Sequence, residues 1–180
     1  MEIKELSIPG AFEIHCPFSE DQRGDFVKVL HASSFIESGL ESFFTESYYS
    51  TSKKGVVRGM HFQVPPHDHC KLVYAVGGEV MDVLLDLRNN SPAYGNYVTL
   101  TLSKTKRNSV YIPKGVAHGF LAKSDLATLV YMTSTEYNAA ADKGVLWNSF
   151  GLNWGLDQPE ISDRDRGFVS LEKLNSPFKF

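Results

Sequence analysis

The stretch "KLVYAVGGEVMDVLLDL" (71–87) decides the fold class of this chain. It contains two runs rich in β-branched, aromatic and aliphatic residues, 71–76 and 79–87, on either side of Gly77 and Gly78. Two β-forming runs separated by residues that tolerate positive φ predict a tight β-hairpin. We therefore expect a protein built from β-strands.

Further short β-forming runs follow along the chain, with loops rich in turn residues between them. They lie at 97–103, 110–113, 118–123 and 127–135. Strands of this length, spaced at roughly 8–12 residues, predict a sandwich or a barrel.

Two segments depart from the strand pattern. Residues 33–40 predict a short helix with Ser33 or Ser34 as its N-cap. Residues 148–180 carry prolines, glycines and mixed charges, and we expect this segment to wrap around the barrel. Because no repeat or linker interrupts the chain, we expect residues 1–180 to form a single domain.

Composition and charge exclude some functions. The chain has 180 residues, with 18 Lys and Arg against 21 Asp and Glu, a net charge of −3. Nucleic-acid binders usually carry a basic surplus, so we expect no nucleic-acid partner. A few cations in one pocket could still hold a phosphorylated ligand.

The cysteines and the amino terminus indicate a cytoplasmic protein. Cys16 and Cys70 are the only cysteines and form no CxxC motif, which favours a reducing compartment. Glu2 and Glu5 stand where a signal peptide needs basic and then apolar residues. No apolar run approaches the ~20 residues of a membrane span.

Four histidines are candidates for chemistry. His61, His67 and His69 lie on a predicted strand and loop, and His118 ends the run "PKGVAH" (113–118). The run Pro-x-Gly-x-x-His resembles the second motif of the cupin superfamily, and the pair His67-x-His69 resembles the first. Together they imply an all-β, cupin-type double-stranded β-helix, or jelly roll, with a few short helices.

A metal at these histidines is not favoured. A metal-binding cupin needs a further carboxylate after its His-x-His pair, where this chain has Val73 and Tyr74. The ammonium of Lys71 lies closer still and would repel a cation. We expect no metal and no other cofactor, with His67 and His69 as solvated loop residues near the rim of the pocket that take no part in the chemistry. Three imidazoles can still bind zinc, so this alternative stays open.

A lysine and a tyrosine on predicted strands complete the candidates. Alternation places Lys71, Val73 and Ala75 on one face of their strand. Lys71 either extends to solvent at the strand's end or points into the barrel, where it would stabilise an anion and be balanced by Asp82 on the partner strand. Tyr131, in "TLVYMTS" (128–134), has no feature that distinguishes it from other strand tyrosines.

A longer set of motifs carries a more specific resemblance. In chain order they are "RGMHFQ", "PPHDHCKLVYAVGGEVMDVLLDLR", "SPAYG", "IPKGVAHGF", "VYMTSTEY", "GVLWN" and "ISDRD". Their order and spacing, from about Arg23 to Asp165, are similar to the dTDP-4-dehydrorhamnose 3,5-epimerase family. The resemblance implies a homodimeric cupin without metal. It also implies an enzyme that inverts carbons beside the ketone of a nucleotide-diphosphate-linked 4-keto-6-deoxy sugar.

The resemblance assigns roles to individual residues. The general base of the family corresponds to His61, its supporting aspartate to Asp165, the acid tyrosine to Tyr131 and the lysine near the ketone to Lys71. The residues implied in substrate binding are Arg23, Arg58, His118, Tyr137, Glu46, Tyr48, Asp142 and Arg164.

The chain departs from the family pattern at the edges of the implied site. Lys28 replaces a glutamate, Asp25 replaces an aromatic residue, and "ESY" (46–48) replaces Gln-Asp-Asn. These changes leave open whether the nucleotide is dTDP, CDP or another. They also leave open the sugar and whether C3, C5 or both are inverted.

The chemistry imposes one geometric condition. Inversion needs a base and an acid on opposite faces of the sugar, and a histidine, with a pKa near ~6.5, is suited to be the base. Arg58 and His61 are three residues apart, so a regular strand would point them to opposite faces. We therefore predict an irregularity at Gly59, such as a β-bulge.

Two other functions remain as alternatives. One is a 3,4-ketoisomerase on the same substrates, although related ketoisomerases carry a second histidine where this chain has Gln63. The other is a metal-binding or sugar-binding cupin without the epimerase activity.

Overall fold

The computed structural model describes residues 1–180, and antiparallel β-sheet dominates it. Thirteen strands follow along the chain: β1 (Glu2–Glu5), β2 (Phe12–His15), β3 (Phe18–Asp21), β4 (Gly24–Val27), β5 (Glu46–Lys53), β6 (Val57–Gln63), β7 (Lys71–Gly77), β8 (Glu79–Asp86), β9 (Tyr97–Ser103), β10 (Asn108–Ile112), β11 (Val116–Ala122), β12 (Leu126–Thr133) and β13 (Asp142–Gly144). The helices are α1 (Ala32–Glu37), α2 (Asp163–Arg166) and a 3-10 turn at Leu171–Lys173. Neither α-helix has the length and apolar composition that crossing a bilayer requires.

The strands form two main sheets with jelly-roll topology. One sheet has the order β1-β2-β10-β7-β12-β5 and the other the order β13-β6-β11-β8-β9, while β3 and β4 form a separate ribbon. From β5 to β12 the chain crosses between the two sheets at every step except β8 to β9, which pair within one sheet. This winding of eight antiparallel strands is the jelly roll that the sequence predicted.

The predicted hairpin at Gly77 and Gly78 is wrong. β7 pairs with β10 and β12 in one sheet, and β8 pairs with β11 and β9 in the other. Both edges of β7 are thus occupied, and the glycines carry the chain from sheet to sheet. Gly78 has φ +69°, and a Cβ there would lie 2.3 Å from the carbonyl oxygen of Leu126, so the crossing requires glycine.

The predicted helix is present but displaced. It spans Ala32–Glu37, and its N-cap is His31 rather than Ser33 or Ser34, with no side-chain capping bond. Its position follows from Phe35, which is fully buried against the outer face of the six-stranded sheet.

Alternation along the strands builds the cores. On β8, Val80 and Leu84 face the space between the sheets, whereas Val83 and Leu85 face the opposite side. Asp82 has the same parity as Val80, so a carboxylate lies between the sheets, fully buried. It belongs to the sheet opposite Lys71, not to a strand paired with it, which corrects the expectation from the sequence.

The carboxyl-terminal segment covers the outer face of the five-stranded sheet. Trp154, Ile161 and Phe178 are buried there against Phe62 and Val83. The segment makes single parallel bridges to the barrel rather than adding a long strand. Its packing places α2 next to β6.

A bulge between β6 and β11 is present where the sequence predicted it. His118 on β11 pairs with His61 on β6, and Phe120 pairs with Arg58, so two steps on β11 match three on β6. Gly59 occupies the extra position with φ +132°. The bulge brings the side chains of Arg58 and His61 into the same cavity.

Substitution of Gly59 should test this geometry. A Cβ at Gly59 would lie 2.5 Å from the Cα of Gly119, whereas Gly24, with a similar φ of +122°, has nothing within 4 Å. We expect Gly59→Ala to lower the free energy of unfolding by about 3 kcal/mol or more, since backbone strain and overpacking add. Gly24→Ala should lower it by only about 1 kcal/mol. Equal losses in urea denaturation would contradict the close backbone approach.

Candidate active site

A cavity of about 340 Å³ opens between the two main sheets. Most of the residues that the sequence indicated line it: His61, Tyr131, Lys71, Arg58, His118, Tyr137, Glu46, Tyr48, Asp142 and Arg164. They come from both sheets and from the segments that follow them. The jelly roll therefore collects residues that are far apart in the sequence.

The remaining two indicated residues lie outside the lining. Asp165, at 3% exposure, is buried behind His61. Arg23 does not reach the cavity of its own chain. It lies on the exposed β3–β4 ribbon, where its side chain donates to Asp21 at 2.6 Å.

His61 is held by a carboxylate. Its Nε2 lies 2.9 Å from Oδ1 of Asp165, while Oδ2 of the same carboxylate accepts from the Gly59 N–H at 3.1 Å. Donation from Nε2 to the carboxylate leaves Nδ1 as the free basic nitrogen. Burial lowers the pKa of His61, and the Asp165 hydrogen bond opposes that shift. The imidazole is therefore neutral at neutral pH, as a general base must be.

Asp165 is kept ionised by its donors. Burial acts to raise its pKa, but hydrogen bonds from His61, Gly59 and Ser162 together hold that pKa below its ordinary value. Ser162 is the N-cap of α2, and its hydroxyl accepts from the Asp165 N–H. The start of this short helix thus fixes the carboxylate against His61.

Tyr131 lies on β12, in the sheet opposite His61. Its hydroxyl is 3.1 Å from Oγ of Ser50, and its ring stacks on Tyr48 with centroids 4.8 Å apart. Burial raises the pKa of Tyr131 well above its usual value. The phenol therefore retains its proton and is suited to be an acid.

Lys71 points inward, which decides between the two positions that the sequence left open. It is 6% exposed, and its Nζ donates to the backbone carbonyl of His61 at 3.4 Å. Burial lowers its pKa to about 8, and the carboxylates of Asp142 and Asp82 oppose that shift. The side chain is a positive charge with few partners inside the cavity.

His118 belongs to a second carboxylate–imidazole pair. Its Nε2 lies 2.7 Å from Oδ1 of Asp82, and both side chains are buried. Because His118 stands opposite His61 on the paired strand, the two pairs lie side by side.

Arginines occupy the outer part of the cavity. Arg58 donates to Ser52 Oγ at 2.9 Å, and Arg164 forms an ion pair with Asp142 at 2.5 Å. With Lys71 from the opposite sheet they bring three positive charges to the cavity, against the two carboxylates of Glu46 and Asp142. This excess of positive charge suits a ligand with a phosphate or diphosphate group.

The segment "ESY" (46–48), which replaces the Gln-Asp-Asn of the family pattern, has a structural role. Glu46 accepts from the Tyr137 N–H at 2.6 Å, and Ser47 donates to the Tyr131 carbonyl at 3.0 Å. Tyr48 stacks on Tyr131, and burial raises its pKa to about 12. The three residues hold Tyr131 and the rim of the cavity.

Sequence reasoning missed part of the lining. Ser50, Gln63, His69 and Thr133 line the cavity without having been singled out as site residues. His69 lies in the loop before β7 and near the pocket, as expected, but its ring lines the cavity and is largely shielded from solvent. Its position two residues before Lys71 was the available signal, because alternation continues the inward face of β7 back to residue 69.

His67 is likewise not a free loop histidine, since its Nε2 contacts Asn138 Nδ2 at 3.2 Å. His69 and His118 line the cavity, whereas His67 does not. The structure contains no cluster of three or more His, Cys, Asp or Glu side chains arranged to hold a metal ion.

A jelly roll with a carboxylate-bound imidazole in one wall and a buried phenol in the other defines an enzyme of acid–base chemistry. The family model described as dTDP-4-dehydrorhamnose 3,5-epimerase matches residues 5–173. The chain belongs to this family, and the resemblance found in the sequence is confirmed.

Similar proteins of known name agree. The dTDP-4-dehydrorhamnose 3,5-epimerase of Shigella flexneri is 36% identical over 92% of this chain and 93% of its own. The dTDP-4-dehydrorhamnose 3-epimerase of Streptomyces niveus is 38% identical over 95% of this chain and 84% of its own. Relatives named as 3,5-epimerases and relatives named as 3-epimerases are thus both similar to this chain.

The fold is shared with solved structures. The dTDP-6-deoxy-D-glucose-3,5-epimerase of Legionella pneumophila, in complex with dTDP-4-keto-L-rhamnose, superposes with a TM-score of 0.94 at 29% identity, over 99% of this chain and 98% of the other. The prediction of a cupin-type jelly roll is confirmed.

The buried ammonium should make stability depend on pH. The pKa of Lys71 falls from 10.5 to about 8 on folding, so Lys71→Met should raise the free energy of unfolding at pH 7 by about 3 kcal/mol. The unfolded chain binds this proton more tightly between pH 8 and 10.5, so wild-type stability should rise towards that of the variant across this interval.

Urea denaturation of both proteins at pH 7 and pH 10.5 measures the effect, with exposed Lys123→Met as the control. A difference between wild type and Lys71→Met that does not change with pH would contradict the burial of a charged Lys71.

Proposed function

We propose that this protein is an epimerase that inverts C3, C5 or both in a nucleotide-diphosphate-linked 4-keto-6-deoxy sugar. The observation that carries the proposal is that His61 and Tyr131 line one cavity from opposing sheets. Relatives named as epimerases of dTDP-linked sugars support this substrate class, with dTDP as the first nucleotide to test.

The reaction proceeds through an enolate. Nδ1 of His61 removes the proton from the carbon beside the ketone, and the electron pair of the broken C–H bond moves to the ketone oxygen. The ammonium of Lys71 stabilises the resulting negative charge. Tyr131 delivers its proton to the opposite face of the carbon, and the proton held by the His61 imidazolium then returns through water to the Tyr131 phenolate. The configuration inverts because the two groups act from different walls.

Binding is assigned by charge and position. Arg58 and Arg164 contact the diphosphate, since they are the guanidinium groups of the cavity. Tyr137, at 62% exposure on the rim, provides a surface on which a nucleobase can stack. Glu46, Tyr48, Asp142 and His118 complete the sugar-binding surface in this proposal.

We propose a homodimer as the working state. The β3–β4 ribbon exposes Phe18 at 54% and Phe26 at 66%, an apolar surface that a second copy would cover. Arg23 lies on this ribbon, away from its own cavity. For Arg23 to contact substrate, as the resemblance implies, the ribbon must reach the cavity of the partner.

Three further proposals concern the chain as a whole. Both cysteines are free, which supports a cytoplasmic location. Acid, base and oxyanion stabiliser are all side chains of this protein, which supports a reaction without metal or cofactor. Both main cores include residues of the central strands, which supports a single domain over 1–180.

The alternative functions are less well supported. A 3,4-ketoisomerase is disfavoured by family membership, and Gln63 stands where related ketoisomerases have a second histidine. A sugar-binding module without activity gives no reason for a base with an oriented tautomer opposite a buried acid.

Solvent-deuterium exchange tests the proposal. dTDP-, CDP- and GDP-linked 4-keto-6-deoxy sugars are incubated with the enzyme in D₂O, and NMR locates the incorporated deuterium. We expect uptake at C3, C5 or both and its loss in His61→Ala. A wild type that exchanges none of these sugars would overturn the proposed function, and full exchange in His61→Ala would remove the base assignment.

The same assay tests the role of Tyr131 as acid, because deuterium exchange and inversion of the sugar carbon are measured separately. Tyr131→Phe should still exchange the proton through His61 while the inverted product forms at least about 100-fold more slowly. Tyr74→Phe, on the outer side of β7, is the matched control and should behave as the wild type. Parallel loss of exchange and inversion in Tyr131→Phe would contradict its role as acid.

A further inference from the structure

The hydroxyl of Tyr131 has one hydrogen-bond partner in the protein. Oγ of Ser50 lies 3.1 Å from it, and the Ser50 hydroxyl makes no other hydrogen bond within the chain. Both residues line the cavity. Ser50 therefore contacts the group to which the proposed reaction assigns the second proton transfer.

The pairing of β5 with β12 places the two hydroxyls together. Ser50 pairs with Leu129, and Tyr131 follows Leu129 by two residues on the same face of β12. Ser50 and Tyr131 are thus diagonal neighbours across the two strands, a separation that a long side chain can span. The register of the sheet therefore fixes this contact.

The surroundings of Tyr131 resist a negative charge on its oxygen. Burial and the carboxylate of Asp82 raise the pKa of Tyr131, whereas the Ser50 hydrogen bond lowers it. The guanidinium of Arg58 also lowers this pKa, but it donates its hydrogen bonds elsewhere, the shorter one to Ser52 Oγ at 2.9 Å. Ser50 is therefore the direct donor for a phenol oxygen that loses its proton.

The direction of this hydrogen bond follows from the reaction. When Tyr131 gives its proton to carbon, the electron pair of the O–H bond stays on the phenol oxygen, and a phenolate only accepts hydrogen bonds. Ser50 must then be the donor, while its own proton stays on the serine oxygen. A hydrogen bond to a charged oxygen is stronger than one to a neutral phenol, so it acts more on the transition state than on the bound substrate.

Resting on the proposed function, we infer that Ser50 is a positioning residue for Tyr131: its hydroxyl holds the phenol oxygen and stabilises the phenolate that remains after proton delivery. Ser50 has no hydrogen bond to His61 or Lys71, so its effect falls on delivery of the proton and not on its removal. Loss of the Ser50 hydroxyl should therefore separate the two proton transfers.

Substitutions that remove or keep the hydroxyl test this role. NMR measures exchange as deuterium in the recovered substrate and inversion as the epimerised product, and their ratio does not depend on how much of the enzyme is folded. Ser50→Ala should lower the ratio of inversion to exchange by about 30-fold, the effect of one hydrogen bond to a charged group. Ser50→Thr should stay within about threefold of the wild type. An unchanged ratio in Ser50→Ala, or an equally low ratio in Ser50→Thr, would overturn the inference.

A second hydroxyl pair between the same two strands provides the matched control. Oγ1 of Thr51 lies 3.2 Å from Oγ1 of Thr128, and this pair is exposed. Thr51→Val removes that contact and should leave the ratio of inversion to exchange as in the wild type. A fall in Thr51→Val as large as in Ser50→Ala would assign the effect to strand pairing and overturn the inference.

A double variant shows whether Ser50 acts through Tyr131. In Tyr131→Phe no phenolate forms, so the addition of Ser50→Ala should change the residual inversion rate by less than about threefold. A further loss of about 30-fold in the double variant would overturn the role of Ser50 and leave the proposed function intact. Absence of deuterium exchange in the wild type would instead overturn the proposed function.

Discussion

One buried carboxylate, that of Asp165, connects the carboxyl-terminal segment to the strand that bears His61, the proposed base. One of its oxygens binds His61 and the other binds the backbone of Gly59. The same group therefore orients the imidazole and holds the bulge that turns it into the cavity. A buried carboxylate stripped of such partners would be strongly destabilising, so the segment, the bulge and the base depend on one another.

The jelly roll supplies what epimerisation requires. His61 comes from the five-stranded sheet and Tyr131 from the six-stranded sheet, so the proposed base and acid occupy opposing walls. Lys71 lies on the same sheet as Tyr131, and its ammonium is proposed to stabilise the oxygen where charge develops. Burial lowers the pKa values of His61 and Lys71 and raises that of Tyr131, which prepares a neutral base and a protonated acid.

Local patterns predicted much of this structure. Alternation placed Lys71 and Val73 on one face of their strand, which the structure shows to be the inward face, and the three-residue spacing of Arg58 and His61 predicted the bulge at Gly59. The pairing between strands that are far apart in the sequence could not be predicted from local patterns. The glycines after β7 predicted a hairpin, but the edges of β7 are taken by strands that come much later in the chain.

The omissions have similar causes. His69 was expected to be solvated because Pro65 and Pro66 precede it in the loop, and its contacts with Gln63 and Thr135 exist only because the fold brings these residues near. Arg23 was placed in the site by resemblance, and the single chain leaves it on an exposed ribbon.

The most direct test of the central claim is the exchange rate of Asp165→Asn, a substitution that keeps the shape of the side chain but removes its charge. Loss of the carboxylate leaves the imidazolium unstabilised and the tautomer unfixed, so we expect exchange at least about 100-fold slower than in the wild type. Substrate affinity should stay unchanged in the same protein. An exchange rate within about threefold of wild type, with the fold intact, would contradict the account.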